Sequence, residues 1–213
     1  FFVMILSSTT FAKNKSPSIH KRNGSLDNPG EGWFMSRGGN YLRGAIIGQG
    51  DVPVRQCVQT LKRNGYEGYL CIESPFHCDY GYNIEVGTGF FANYNFIVLD
   101  VGKVRIGDNF MCGPNVSICT AGHPIHPESR NSGYEYGIDI TIGDNVWIGG
   151  NVMVCPGVTI GNNVVIGAGS IVTKDIPDNV IAVGNPCRVL REITEEDRDY
   201  YFRDRKFDVD DYK

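Results

Sequence analysis

Residues 142–176 read IGDNVW IGGNVM VCPGVT IGNNVV IGAGSI VTKDI, and a branched aliphatic residue opens each hexad: Ile142, Ile148, Val154, Ile160, Ile166 and Val172. A period of six belongs to neither an α-helix nor an isolated strand. Four residues after each opener stands a second small or branched side chain, Val146, Val152, Val158, Val164, Ser170 and Ile176. Between them lie turn formers, among them Asp144-Asn145, Gly150-Asn151, Pro156-Gly157, Asn162-Asn163 and Ala168-Gly169. Asn and Gly tolerate positive φ, so each hexad reads as a short flat strand followed by a corner. Three corners close a triangular coil, and stacked coils form a parallel β-helix whose aliphatic residues pile up inside.

The same rhythm runs upstream in looser form through Val86, Ala92 and Val98, slips by two residues, and resumes at Ile106, Cys112 and Ile118. Residues 119–141 break it with His, Pro, Glu, Arg, Ser and Gly. A long excursion from a strict solenoid is either functional or disordered, and this one holds His123 and His126. It is therefore predicted to be a functional loop.

The chain has 213 residues, 41% of them hydrophobic, enough for one large domain or two small ones. A net charge of −4 argues against a nucleic-acid surface. The seven cysteines are odd in number and none forms a C-x-x-C pair, which favours a reducing cytoplasm. The apolar run Phe1–Leu6 is too short to span a bilayer and has no basic segment before it, so neither a membrane span nor a signal peptide is expected.

Several ordered motifs carry a resemblance. They are Phe76-His77-Cys78-Asp79-Tyr80-Gly81-Tyr82-Asn83, Phe90-Phe91-Ala92-Asn93-Tyr94-Asn95, Thr120-Ala121-Gly122-His123-Pro124, Asn145-Val146-Trp147-Ile148-Gly149 and Gly184-Asn185-Pro186-Cys187-Arg188-Val189. From about Glu73 onward, including the tail Asp199-Tyr200-Tyr201-Phe202, the chain resembles the maltose and galactoside O-acetyltransferases, which are hexapeptide-repeat acyltransferases. The resemblance implies an all-β fold, a left-handed parallel β-helix with an extended catalytic loop. Handedness is not readable from the period, since parallel crossovers are otherwise right-handed. It also implies a homotrimer with active sites between subunits, acetyl-CoA as co-substrate, a sugar hydroxyl as acceptor, and no metal.

Residues 1–31 carry no assignable pattern, with disorder as one reading. Residues 32–73 instead resemble the closing βα unit of sugar-phosphate isomerase and epimerase barrels, through Gly32-Trp33-Phe34, Arg43–Pro53 and Gly65–Glu73. Val54, Cys57, Val58 and Leu61 make a helical stripe between Pro53 and Gly65, and Tyr69 to Ile72 reads as a strand. A whole barrel needs about 250 residues, and Pro75 stands where that family places a second metal-binding Glu. No isomerase activity is expected from this small α/β segment. The solenoid is assigned to residues 74–190, and residues 191–213 to a helical tail beginning at Thr194-Glu195-Glu196-Asp197.

His123 is the candidate general base. A neutral alcohol is a poor nucleophile, and an imidazole titrating near neutrality can take its proton as the new bond forms. A loop histidine bonded to local backbone is the bland alternative. The resemblance implies direct attack of the hydroxyl on the thioester with no acyl-enzyme, and no cysteine has a paired histidine that would suggest a nucleophile. By resemblance, Asp79, Asn93 and Glu135 would serve the acceptor, with Asn93 also near the thioester, and the backbone N–H of Gly150 would serve the oxyanion. Asp79 and Asn93 also read as ordinary turn formers, Gly150 as a corner glycine and Glu135 as a solvated loop acid. Val101 stands where the galactoside branch has a second acceptor-binding Asp. Trp147 points outward by register, as ligand or interface residues do. Ala168, Thr173, Lys174, Arg188 and Arg191 match coenzyme A-binding positions, the basic ones suited to phosphates or, more blandly, to a solvated face.

Two rival readings stand beside this one. A solenoid that binds coenzyme A without catalysis would fit the absence of the family's N-terminal acceptor segment. A γ-type carbonic anhydrase, whose neighbouring histidine ligands lie five apart, fits poorly with His123 and His126 at three.

Overall fold

The computed structural model describes residues 70–207, together with the strands Phe2–Val3, Trp33–Met35 and Tyr41–Arg43. The remainder of the barrel-like unit, including its expected helix, lies outside the described residues. Three parallel sheets form the faces of a prism. The first face stacks Leu70–Ile72, Phe90–Ala92, Met111–Cys112, Trp147–Ile148, Val165–Ile166 and Val180–Val183. Phe76–Cys78, Phe96–Leu99, Ser117–Cys119, Met153–Val154 and Ile171–Val172 make the second. Ile84–Val86, Val104–Ile106, Ile140–Ile142 and Thr159–Ile160 make the third, with Ile176 bridged to Ile160. The chain visits the faces in that order on every turn, which is the parallel β-helix expected from the hexads.

Every hexad opener from Val86 to Val172 is buried, and so is every second-position residue from Val146 to Ile176. Two-residue strands have little stability alone; here the strand N–H and C=O groups bond to the coils above and below, as in Gly149 N to Ile166 O and Gly113 N to Ile148 O. Near the start of the solenoid the core widens. Phe76, Phe90, Phe96 and Phe110 are buried and pack ring on ring, with centroids 5.1–6.5 Å apart.

Asparagine holds two of the three corners. Asn95, Asn115 and Asn151 stack between the first and second faces; Asn109, Asn145, Asn163 and Asn179 stack between the third and first. All seven have φ between 55° and 60°, and each Nδ2 donates to the Oδ1 of the next along its ladder, at 2.8–3.1 Å. The side chain thus stabilises a left-handed backbone and ties neighbouring coils at once.

The ends differ from expectation in two respects. Leu70–Ile72 pairs with Phe90–Ala92, so the solenoid already includes the strand that reads as the end of the barrel-like unit. At the other end a helical tail is expected, but Glu195–Asp199 is a single 3₁₀ helix with a Thr194–Asp197 capping box, followed by the hairpin Tyr200–Phe202 and Arg205–Lys206. The sheet edge is covered instead by Arg188–Glu192, which turns back antiparallel on Val180–Val183 and satisfies that strand's backbone.

The ladder is directly testable by unfolding in denaturant. Asn145→Ala, which loses two ladder bonds and must hold φ near 56°, is expected to cost roughly 2–3 kcal/mol. Asn145→Gly keeps the backbone easy and is expected to cost about half as much.

Candidate functional site

The corner between the second and third faces has no asparagine ladder and holds most of the unusual chemistry. Residues 79–83 cross it in the first coil, Asp100 in the second, and the 120–139 excursion in the third. The excursion leaves through buried Thr120, whose Oγ1 donates to Leu99 O and accepts from Gly102 N. Ala121–Gly122 then pairs antiparallel with Tyr136–Gly137, making a short ribbon that carries His123 out from the solenoid, and a single helix, Pro127–Asn131, forms its tip.

Glycine permits this ribbon to close. A methyl group on Gly122 would lie 2.6 Å from ring atoms of Tyr136, so the tyrosine lies directly over the residue before His123. His123 Nδ1 is 2.9 Å from the carbonyl oxygen of Tyr134. A carbonyl only accepts, so Nδ1 carries the proton and Nε2 is left with its lone pair. Nε2 faces Glu135, 3.9 Å from Oε1, and both side chains are about half exposed.

Asp79 belongs to the same cluster. Burial, then the charges of Asp100 and Glu135, hold its carboxyl above the usual carboxylate range. Tyr80 and Tyr82 stand beside it with ring centroids 5.3 Å apart and are roughly half exposed. Burial, with Tyr82, Asp79, Glu135 and Asp100 after it, pushes the Tyr80 phenol up as well. The cysteines along this part of the molecule are poor nucleophiles, because burial raises the thiols of Cys78, Cys119 and Cys155, Cys78 to about 12.

The other predicted residues lie elsewhere. Asn93, Gly150 and Ala168 occupy the corner between the first and second faces. Asn93 Oδ1 accepts from Tyr94 N, and the corners of Gly150 and Ala168 stack, Gly169 N donating to Gly150 O. The Gly150 N–H donates to no group among the described residues. Cys187 N bonds to Ile171 O and brings Arg188 to this same corner, where its guanidinium donates to Cys187 O. Thr173 and Lys174 follow Ile171–Val172 and share the His123 corner, both exposed. Trp147 is 54% exposed on the first face, as its register requires. Arg191 is engaged by Asp197 through two bonds of 2.6 and 2.7 Å, so its charge is already answered within the chain.

The candidates thus divide between two edges of the second face. From Gly150 to Cys155 the chain crosses that face in five residues, roughly 16 Å at about 3.3 Å per residue. Within one chain Gly150 therefore lies too far from His123 to act on the same atom. Sequence reading did not single out Asp100, Tyr136 or the Tyr134 carbonyl. The only available signal for Asp100 was an acid directly after the apolar strand Phe96–Leu99. Among the described residues no group of three His, Cys, Asp or Glu side chains is arranged to hold a metal ion, and no helix is long and apolar enough to cross a membrane.

Overpacking the ribbon should be measurable. Gly122→Ala is expected to lose about 1–3 kcal/mol in denaturant unfolding. Adding Tyr136→Ala should recover part of that loss, giving a double variant clearly less destabilised than the sum.

Comparison with known proteins agrees with the architecture. Residues 139–174 match the family model described as bacterial transferase hexapeptide, six repeats. The chain is 55% identical over 167 residues to the galactoside O-acetyltransferase of Escherichia coli K12, covering 78% of this chain and 80% of that one. A solved maltose O-acetyltransferase from Clostridium difficile 630 superposes with a TM-score of 0.63 at 55% identity, covering 70% of this chain and 81% of that one. A galactoside acetyltransferase solved in complex with coenzyme A gives a TM-score of 0.68 at 46% identity, with 76% and 83% covered.

Proposed function

The chain belongs to the hexapeptide-repeat acetyltransferases, the family of the galactoside and maltose O-acetyltransferases; from that premise we propose that it transfers the acetyl group of acetyl-CoA to a sugar hydroxyl, with His123 as general base. The observation that carries this reading is the 2.9 Å approach of His123 Nδ1 to the Tyr134 carbonyl oxygen. The Tyr134 carbonyl binds the Nδ1 proton and leaves Nε2 as an acceptor beside Glu135, whose charge also reaches Asp79.

In the reaction, Nε2 takes the acceptor's hydroxyl proton as the oxygen attacks the thioester carbonyl. The imidazolium so formed has the Glu135 carboxylate on its Nε2 side and the Tyr134 carbonyl on Nδ1. The tetrahedral oxyanion is met by a backbone donor, for which the uncommitted Gly150 N–H is suited. Collapse of the intermediate breaks the C–S bond, and the leaving thiolate recovers the proton from His123. The raised cysteine thiols support direct transfer without an acyl-enzyme. Asp79 and Glu135 accept hydroxyl groups of the sugar, with Asn93 near the thioester. Phosphates of coenzyme A meet Thr173 and Lys174 from the His123 edge of one protomer and Ala168 and Arg188 from the Gly150 edge of its neighbour; Arg191 would have to leave Asp197 to join them.

Assembly as a homotrimer resolves the division of the site between two edges. Outward positions on the first face form an apolar column, Phe91, Met111, Trp147, Val165 and Ile181, running through successive coils. The second face adds Ile97, Met153 and Ile171 in a column that also holds His77 and Ser117, whereas the third presents Glu85, Arg105, Thr141 and Thr159. Packing the first and second faces around a threefold axis brings one protomer's His123 edge toward its neighbour's Gly150 and Trp147 edge. A cytoplasmic location goes with this reading, on the odd cysteine count and the lack of a C-x-x-C pair in the sequence.

His123→Ala is expected to lower kcat about 10²–10⁴-fold while coenzyme A binding, measured by calorimetry, stays within about twofold. A wild-type chain that binds coenzyme A and acetylates nothing across a panel of sugars and alcohols would establish the non-catalytic reading instead. For the shared site, mixing His123→Ala chains with chains inactivated by Gly150→Asp, then reassembling them, should give activity above both parents. Failure of mixed trimers to recover any would place the whole site within one protomer.

A further inference from the structure

Asp100 has no solvent exposure at all, yet its carboxylate is fully occupied. Oδ1 accepts from the N–H groups of Asp79 and Tyr80 at 3.0 and 2.9 Å; Oδ2 accepts from Gly81 at 2.8 Å and Asn83 at 3.4 Å. In return Asn83 Nδ2 donates to the Asp100 carbonyl at 2.8 Å. One side chain from the second coil therefore builds a turn of the first coil, at the corner where no asparagine ladder does so. The turn's remaining closure is a single long bond, Ile84 N to Gly81 O at 3.3 Å, around Gly81 with φ 79°.

We propose that Asp100 is the positioning residue of the acceptor pocket, shaping the 79–83 turn so that Asp79, Tyr80 and Tyr82 face Glu135 and the His123 loop. The turn presents two kinds of surface side by side. Carboxylates accept hydroxyl groups, and the tilted Tyr80–Tyr82 pair, 43% and 52% exposed, offers ring area to the C–H face of a pyranose. Asp100 itself never meets the sugar. Its influence on Asp79 is double: it fixes where that carboxyl sits, and its charge opposes that carboxyl's ionisation. The charged and titratable groups acting on Asp79 here are Asp100 and Glu135, with Tyr80, Cys78 and Cys119 alongside and His123 beyond Glu135. A neutral amide at position 100 would offer one acceptor oxygen where two are needed and turn an NH₂ toward backbone donors.

The inference rests on the acceptor role assigned to Asp79 above, so Asp79→Ala is assayed beside Asp100→Asn. Steady-state kinetics with a reactive sugar and acetyl-CoA should show Asp100→Asn raising the acceptor KM at least about tenfold, with the acetyl-CoA KM within about twofold. The acid limb of kcat/KM for the acceptor should also move to lower pH, because removing the neighbouring negative charge lets Asp79 ionise more readily. An unchanged acceptor KM, or equal rises in both KM values, would overturn the proposal. Should Asp100→Asn lack a cooperative melt, Asn83→Ala decides. It removes only the bond to the Asp100 carbonyl, so it should raise the acceptor KM several-fold while leaving the acid limb in place, and an unaltered KM overturns the proposal equally. If Asp79→Ala leaves the acceptor KM unchanged, the acceptor reading of Asp79 fails; if Asp79→Ala raises it and Asp100→Asn does not, the positioning role alone fails.

Discussion

In-register stacking of coils is the constraint on which everything else depends. Most of the strands are two or three residues long, and a piece that short has no stable existence alone. Each persists because its N–H and C=O groups are satisfied by the coils on either side and its aliphatic residue lands on the aliphatic residue of the coil below. The register cannot slip by one, since that would expose Ile148, Val154 and Ile166 and bury their outward neighbours. The asparagine ladders enforce the same register from outside, because each amide must meet the next at hydrogen-bond distance.

The three corners divide the work. Two repeat the same asparagine geometry from coil to coil and are interchangeable along the stack. The corner between the second and third faces repeats nothing. It carries the Asp100-built turn, the Thr120-anchored ribbon and the His123 excursion, and its local bonds are individual rather than periodic. A rigid periodic frame on two edges permits irregular, exposed chemistry on the third, because the stacking bonds continue through strands on both sides of it.

The candidate site was readable in the chain to an uneven degree, for physical reasons. His123 stood out because it interrupts a period, and Trp147 because register alone puts a large aromatic ring in solvent. Arg191 read as an available cation, but Asp197 answers it through a capping-box geometry that depends on how the tail turns. Asp100 was silent, since an acid after an apolar strand looks like any corner residue. Its significance comes from four backbone donors that lie between seventeen and twenty-one positions away in sequence and one coil away in space.

The amino-acid sequence by itself determined the coil, the inward residues and the position of the break, because those follow from a six-residue period and from which residues accept positive φ. Tertiary structure decided which groups meet. The imidazole tautomer depends on a carbonyl eleven residues away. The 79–83 turn depends on a carboxylate in the next coil, and the separation of Gly150 from His123 depends on the width of a face. Periodicity specifies what repeats; contacts between coils, which no local pattern encodes, specify the chemistry.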